Sequence, residues 1–286
     1  MHFMKQCSSI DDIRSEISAL KKQGKTIAFV PTMGALHEGH LSLMRLAKEK
    51  ADEVVVSIYV NPEQFGPNED FEDYPRQLQD DLDACEQEGV SLVFTPNDKV
   101  MYGSGEKYFR IELDTLNEHM DGGSRPGFFE GIVLVVNKFF NIIEPDVAIF
   151  GQKDIQQFQI LKQMVYEFNH NIELIAAPIA RANDGLALSS RNAYLSDEER
   201  KIAPSLYRAL QYVERQIKDG VMEPKLLLNH QQDELEAKGF KNDYLNVFSM
   251  KTMHPVKKLQ PGNSYILAGA VYLGKTRLID NIILDL

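Results

Sequence analysis

The amino-acid sequence predicts an α/β protein in which a doubly wound parallel sheet precedes a smaller α+β domain. Short apolar runs rich in strand formers alternate with amphipathic helical patterns through the first two thirds of the chain. The candidate motifs follow these runs directly, as expected for a Rossmann-like sheet that binds ligands at the carboxyl ends of its strands. The last third differs, because a long charged helical pattern leads into strand-like runs with hairpin-like spacing. We place the two domains at residues 1–180 and 181–286.

The elements of the first domain follow from local periodicity. Residues 10–23, 41–51, 77–88, 132–143 and 155–168 are expected helices, and residues 26–30, 53–60, 91–95, 146–150 and 172–176 are expected strands. In the second domain we expect helices over 197–218 and after Pro224, and strands over 244–250, 265–271 and 278–284. Ser196 and Glu199 have the spacing of a capping box at the start of the first of these helices, and Pro204 predicts a kink or boundary within it.

Composition limits the class of protein. The chain has 286 residues, of which 43% are hydrophobic and 26% are charged, as in soluble globular proteins. Its long apolar stretch, residues 132–143, contains Lys138 and two asparagines and is too short and polar to span a membrane. The first residues lack the apolar core of a signal peptide, and two cysteines, Cys7 and Cys85, suit a reducing compartment. We therefore expect a cytoplasmic protein that does not bind membranes.

The formal net charge of −11 disfavours a nucleic acid as the main partner, since phosphate backbones are bound by clustered lysine and arginine. The negative net charge does not exclude a small anionic ligand, provided that basic side chains make its binding site locally positive. Three segments place a basic residue beside glycine or serine: 124–127, 151–154 and 189–192.

The segment Pro31–His40 lies between an expected strand and an expected helix. Backbone N–H groups and the helix dipole make this position an anion site, and His37 and His40 add donors that can contact phosphate. The alternative is a tight turn whose histidines face solvent. A zinc protease helix is a poor match, because its histidines are four residues apart, whereas His37 and His40 are separated only by Glu38 and Gly39.

The loop over residues 61–76 follows the next expected strand and is shaped by one glycine and several prolines. Gln64 offers it both a donor and an acceptor for a small polar ligand. A rigid connector with solvated side chains is an equally good interpretation. The expected helix that follows carries Asp80 and Asp81, which could hold Mg²⁺ beside a nucleotide, although a solvated helix face is favoured.

Two further loops combine small residues with a basic side chain. In the segment 151–154, the glycine permits close backbone approach and Lys153 supplies a charge for phosphate, with Gln157 one turn further on. The segment 184–192 combines two serine hydroxyls with Arg191, which suits the outer oxygens of a triphosphate. An ordinary strand–helix turn and a helix-capping serine cluster, respectively, are the alternatives.

Taken together, these segments resemble the pantothenate synthetase (pantoate–β-alanine ligase) family over nearly the whole chain. Residues 37–40 match the His-x-Gly-His signature of the wider nucleotidylyltransferase group, which is related to class I aminoacyl-tRNA synthetases, and residues 189–191 match its second signature. The Asn-Pro-x-Gln-Phe-Gly-Pro-Asn-Glu-Asp loop at 61–70 makes the resemblance specific. The chain departs from the family at Leu188, where methionine or lysine is common, and at Gln152, where glutamate or lysine is common.

The resemblance implies that pantoate is activated by ATP to pantoyl adenylate, which β-alanine then converts to pantothenate, with release of pyrophosphate and AMP. It implies catalytic roles for His40, His37, Lys153 and Arg191. The implied nucleotide-binding residues are Met33, Gly34, Ala35, Leu36, His37, Glu38, Gly39, His40, Gly151, Gln152, Lys153, Asp154, Ala180, Leu188, Ser189, Ser190 and Arg191. Pantoate and β-alanine are assigned to Gln64, Gln157, Met33 and Arg125. The resemblance further implies Mg²⁺ on the phosphates, with Asp80 or Asp81 as a candidate ligand, a homodimer, and a lid role for residues 181–286.

Overall fold

The computed structural model describes residues 4–67, 69, 71–106 and 108–286, so that Asn68 and Asp70 of the loop singled out above lie outside the described residues. The chain divides into two compact units. The first unit takes in the chain up to Leu113 together with Arg125–Gln152 and Gln157–Pro178, and the second comprises Asp114–Ser124, Lys153–Gln156 and Ile179–Leu286. The lid role of the C-terminal residues stays a prediction.

The sheet of the first unit has six strands, and each pairing between neighbours is parallel. The strands are β1 (Lys5–Cys7), β2 (Ile27–Thr32), β3 (Glu53–Ile58), β4 (Leu92–Phe94), β5 (Val147–Gly151) and β6 (Glu173–Ala177). Their spatial order is β1-β4-β3-β2-β5-β6. The chain therefore moves outward from β2 through β3 to β4, and then returns to β5 on the other side of β2, which confirms the doubly wound class.

This strand order places the topological switch point between β2 and β5, where Ala28 pairs with Val147 and Phe29 with Ala148. The loop that contains the two histidines leaves β2, and the loop at Gly151 leaves β5. Because both strands run in the same direction, these loops leave the sheet at the same edge, where open α/β sheets bind ligands.

Seven helices are described up to the end of the first unit, and most begin or end within a few residues of expectation. They are α1 (Ile10–Lys22), α2 (Glu38–Lys50), α3 (Leu78–Gln87), α4 (Asp98–Tyr102), α5 (Met120–Ser124), α6 (Phe128–Ile143) and α7 (Ile155–Glu167). Helix α5 belongs to the second unit. The expected start of α6 at residue 132 is wrong by one turn, and β1, α4 and α5 were not expected from the sequence. Phe29 packs edge-on against Phe139 and Phe140 of α6 in the core.

The second unit carries an antiparallel sheet of β7 (Lys241–Ser249), β8 (Ser264–Leu273) and β9 (Thr276–Asp285), in that order. Its helices are α8 (Asp197–Ile202), α9 (Ser205–Lys218) and α10 (Lys225–Ala237). The capping box of Ser196 and Glu199 is present, and Pro204 divides the expected long helix into α8 and α9. Leu210, Val213 and Leu267 are among the fully buried side chains of its core. Within the described part of the chain, no helix is long and apolar enough to cross a membrane.

Candidate active site

The two histidines of the β2–α2 loop cap helix α2 reciprocally. The Gly39 N–H donates to His37 Nδ1 at 3.1 Å, and the His37 N–H donates to His40 Nδ1 at 3.3 Å. Because each Nδ1 accepts a hydrogen bond, the neutral rings carry their proton on Nε2. The ring centroids are 4.2 Å apart, so the two Nε2–H donors belong to one cluster. Gly39 is in the first turn of the helix, as its sequence context predicts.

The backbone of the same loop is held by a buried carboxylate from α3. Asp81, 2% exposed, accepts the Ala35 N–H at 3.0 Å and the Leu36 N–H at 2.8 Å. Gly34 has φ +80°, and a Cβ at this position would lie 2.7 Å from Asp81 Oδ2, so glycine is required by both conformation and space. The N–H groups of Ala35 and Leu36 therefore point to Asp81 and not to a bound anion.

The loop after β3 brings Gln64 to Met33. Asn61, 1% exposed, donates from Nδ2 to Gln64 Oε1 at 3.1 Å and to the Gly131 carbonyl at 3.2 Å. With its oxygen fixed in this way, the Gln64 amide points its nitrogen towards Met33 Sδ at 3.0 Å. Tyr102 holds the other end of Asn61 by donating to Oδ1 at 2.6 Å. Two residues expected to bind the same substrate are thus in contact, in an arrangement fixed by an asparagine that sequence reasoning missed.

Other predicted residues of the first unit have different surroundings. Arg125 forms a bidentate ion pair with Glu69, at 2.6 and 2.5 Å, and stacks on the ring of Phe128. Glu38, in the first turn of α2, is paired with Arg45. Gln157 is half-buried at the start of α7. Gly151 ends β5, and Gln152 begins the short 3₁₀ helix that follows it.

In the second unit a cavity brings together residues from two of the predicted loops. Lys153 and Ser189 both line it, with Asn192, Tyr207 and Asp280 among the other lining residues. The Lys153 side chain is 21% exposed, and its Nζ lies 3.7 Å from Asp154 Oδ1. Six of the lining residues are apolar, and Lys153 and Arg277 are the basic residues beside the carboxylate of Asp280.

Strand β9 supports this cavity through two polar residues. Asn281 donates from Nδ2 to the Lys153 carbonyl at 3.0 Å. Asp280 forms a bidentate pair with Arg181, at 2.6 and 2.7 Å, and the Arg181 guanidinium also stacks 3.6 Å from the centroid of Tyr207. Both β9 residues are buried. Asp280 and Asn281 interrupt the apolar residues of β9, and this interruption is the sequence signal that could have identified them as site residues.

The segment from Ala180 to Arg191 folds back on itself. The Leu188 N–H donates to the Ala180 carbonyl at 2.9 Å, and Arg181 and Ala187 form an isolated antiparallel bridge. Ser189 caps a 3₁₀ helix that begins at Ser190, and its Oγ accepts the Arg191 N–H at 3.3 Å. Ser189 therefore caps a helix, as one of the two interpretations of this segment predicts, and phosphate binding by the segment stays a prediction.

Asp80 and Asp81, the two candidate magnesium ligands, have different surroundings. Asp81 is buried and both of its oxygens accept loop N–H groups, whereas Asp80 is exposed on the same helix. Successive helical residues point about 100° apart, so the two carboxylates do not converge on one ion. The geometry gives Asp81 a positioning role, and a magnesium ligand at Asp80 stays a prediction.

Comparison with known proteins gives concordant matches over nearly the whole chain. Residues 5–283 match the family model described as pantoate-β-alanine ligase. A pantothenate synthetase of Caldicellulosiruptor saccharolyticus is 46% identical over 277 residues, which cover 96% of this chain and 98% of the relative. The structure of pantothenate synthetase from Thermus thermophilus matches with TM-score 0.89 and 38% identity over 98% of this chain and 99% of its own. Pantoate-β-alanine ligase from Francisella tularensis, solved with β-γ ATP and β-alanine, matches with TM-score 0.82 and 37% identity over 98% of each chain.

Proposed function

The chain belongs to the pantoate-β-alanine ligase family, and we propose that it condenses (R)-pantoate with β-alanine through a pantoyl adenylate, with ATP converted to AMP and pyrophosphate. The observation that carries the proposal is the contact of Gln64 with Met33. It joins the loop specific to amide-forming members to the histidine loop of the wider nucleotidylyltransferase group. The complex of the Francisella relative with ATP and β-alanine supports the same choice of substrates.

In the first step the pantoate carboxylate attacks the α-phosphorus of ATP, and the bond to pyrophosphate breaks. Little covalent chemistry falls to the protein, so its contribution is positioning and the stabilisation of charge. We assign the Nε2–H groups of His37 and His40 to the ATP phosphates, with His40 as the hydrogen-bond donor to the departing pyrophosphate. Their capping contacts fix both rings before ATP binds, so little reorganisation is needed on binding.

Charge that develops on pyrophosphate requires cationic partners. Lys153 and Arg191 are assigned to this role, assisted by the hydroxyls of Ser189 and Ser190. The shared cavity of Lys153 and Ser189 supports the assignment for these two residues. Nucleotide contacts at Ala180 and Leu188 are proposed from the resemblance alone.

Pantoate is assigned to Gln64, Gln157 and Met33. The amide nitrogen of Gln64 faces the Met33 side, so it can donate to a pantoate oxygen while the thioether contacts the apolar part of the substrate. In the second step the β-alanine amine attacks the acyl carbon of the adenylate and displaces AMP. A substrate contact from Arg125 requires its guanidinium to be shared with Glu69.

The experiment is an assay of ATP with pantoate, with and without β-alanine. We expect pantoate-dependent exchange of pyrophosphate into ATP, and release of AMP and pantothenate when β-alanine is added. ADP as the product would contradict the proposal, and so would ATP binding without release of pyrophosphate. A dinucleotide-like product would instead indicate a nucleotidylyltransferase that forms no amide.

Variants test the assigned roles in the same assay. His40→Ala and Lys153→Ala should abolish exchange while leaving the far-ultraviolet circular dichroism of the chain unchanged. Lys162→Ala, at an exposed position of α7, is the matched control and should exchange at the normal rate. Near-normal exchange in either site variant would refute the role assigned to that residue.

A further inference from the structure

Outside the residues assigned to the reaction, three side chains of the second unit place metal-ligating atoms together. Glu118 and His119 precede α5, and His254 lies in the turn after β7. One ligand atom from each lies within 4.8 Å of the other two. The imidazole rings of His119 and His254 meet edge to face, with centroids 4.9 Å apart and an interplanar angle of 83°.

The donor atoms are close to the spacing of a coordinated ion. In a tetrahedral zinc site with bonds of about 2.0–2.1 Å, neighbouring donor atoms are about 3.4 Å apart. His254 Nε2 already lies 3.3 Å from Glu118 Oε2. This nitrogen is buried and its contact with the carboxylate lacks the alignment of a hydrogen bond, so it has no hydrogen-bond partner in the described structure. An ion between the two atoms would satisfy both of them.

The backbone that carries Glu118 and His119 is held rigidly. The side chain of Gln156, 1% exposed, donates to the carbonyls of Leu116 and His119 at 2.7 and 2.8 Å. Its oxygen accepts the Asp121 N–H at 2.9 Å. One buried amide therefore anchors both sides of the segment that offers the first two ligands.

The backbone at His254 is held in a similar way. Its carbonyl accepts the Ser249 N–H at 2.9 Å, and the Ser249 carbonyl accepts the N–H of Met253 at 2.9 Å. Met253, fully buried at φ +58°, precedes the histidine and fixes the turn. Two rigid segments, distant in sequence, thus present their ligands to each other, which lowers the ordering cost of binding.

We propose that Glu118, His119 and His254 bind a divalent transition-metal ion, Zn²⁺, with water in the fourth position. Two imidazoles and one carboxylate suit zinc and its neighbours in the first transition row, whereas Mg²⁺ and Ca²⁺ prefer oxygen ligands. Glu118 is exposed and both histidines are partly so, which leaves a path for the ion and room for the water. The bound ion would join the Glu118–His119 segment to the turn after β7 and stabilise the second unit.

The test uses the full chain without a polyhistidine tag, freed of metal by dialysis against a chelator. We expect calorimetric titration with Zn²⁺ to give one site of micromolar or tighter affinity, and Co²⁺ to give the visible absorption bands of a tetrahedral complex. His119→Ala and His254→Ala should weaken binding about tenfold or more and remove those bands. His230→Ala, which removes an exposed histidine of α10, is the matched control and should bind as the parent chain does.

Three results would overturn the proposal. The first is an absence of Zn²⁺ binding by the parent chain. The second is unchanged binding in both His119→Ala and His254→Ala, which would assign the ion to another site, such as the histidine pair of α2. The third is displacement of Co²⁺ by Mg²⁺ at equal concentration, which would indicate an unspecific carboxylate contact. If either alanine variant fails to fold, His119→Gln and His254→Gln provide the same test of Zn²⁺ binding, because glutamine keeps a polar side chain at these partly exposed positions.

Discussion

Asp81→Asn separates the positioning role of this carboxylate from a role as a metal ligand. The asparagine retains one oxygen for a loop N–H, and its NH₂ group faces the other at about the distance of the present hydrogen bonds, which are 2.8 and 3.0 Å long. The change removes one charge-assisted hydrogen bond, worth about 1.5–3 kcal/mol, and leaves a buried N–H without a partner, at a cost of about 1–3 kcal/mol. Because these effects overlap, we expect a net loss of about 2–4 kcal/mol.

Urea unfolding followed by circular dichroism measures this loss, since the chain has no tryptophan for fluorescence. The displaced loop should also lower the kcat/KM of pantoate-dependent pyrophosphate exchange by about tenfold or more, where a factor of ten corresponds to about 1.4 kcal/mol. Asp83→Asn, an exposed position on the same helix, is the control and should retain parent stability and rate. Parent-like stability of Asp81→Asn, or recovery of its rate on adding more Mg²⁺, would refute the positioning role.

Three further changes test other contacts. Gly131→Ala would place a Cβ 2.0 Å from the Glu63 carbonyl oxygen, and we expect a loss of about 3 kcal/mol in urea unfolding; an unchanged midpoint would contradict this packing. Burial raises the pKa of the Cys85 thiol to about 12, so the contribution of the protonated thiol to the free energy of unfolding is full below about pH 9 and is lost as the pH rises towards 12. We expect slow reaction of Cys85 with a thiol reagent at pH 8, and rapid reaction would show that the thiol is open to solvent. Asn281→Ala frees the Lys153 carbonyl and should lower kcat for pyrophosphate exchange with little change in the KM for pantoate, whereas a change in KM alone would argue against this support.

The strands and most helices could be predicted because their signals are local. The apolar run at β2, the capping box at Ser196 and the break at Pro204 each depend on residues within a few positions of one another. The start of α6 could not be predicted in this way. Its first turn follows Gly127, a residue with φ +83°, and lacks a side-chain cap, and Glu130 and Gly131 separate its two phenylalanines from the continuous apolar run at residue 132.

The site residues likewise divide into those with a local sequence signal and those whose role depends on contacts between distant parts of the chain. The histidine loop and the segment at Lys153 could be identified because glycine, a charged or imidazole side chain and a preceding strand occur together in sequence. The distinct roles of Asp80 and Asp81 could not, since both lie in the first turn of one helix and only the contact with a distant loop distinguishes them. The support that Asn61 gives to Gln64 likewise depends on Tyr102 and Gly131, which are far away in the chain.

The switch point between β2 and β5 also has a consequence for synthesis of the chain. The Ile27 N–H donates to Asp146 Oδ2 at 2.7 Å across 119 residues, and the adjacent strands pair at the same separation. A nascent chain can pair β2 with β3 early, but one edge of β2 stays open until β5 has left the ribosome. Truncation before β5 should therefore yield a fragment prone to aggregation, and a translational pause in the α6 region would prolong the exposure of that edge.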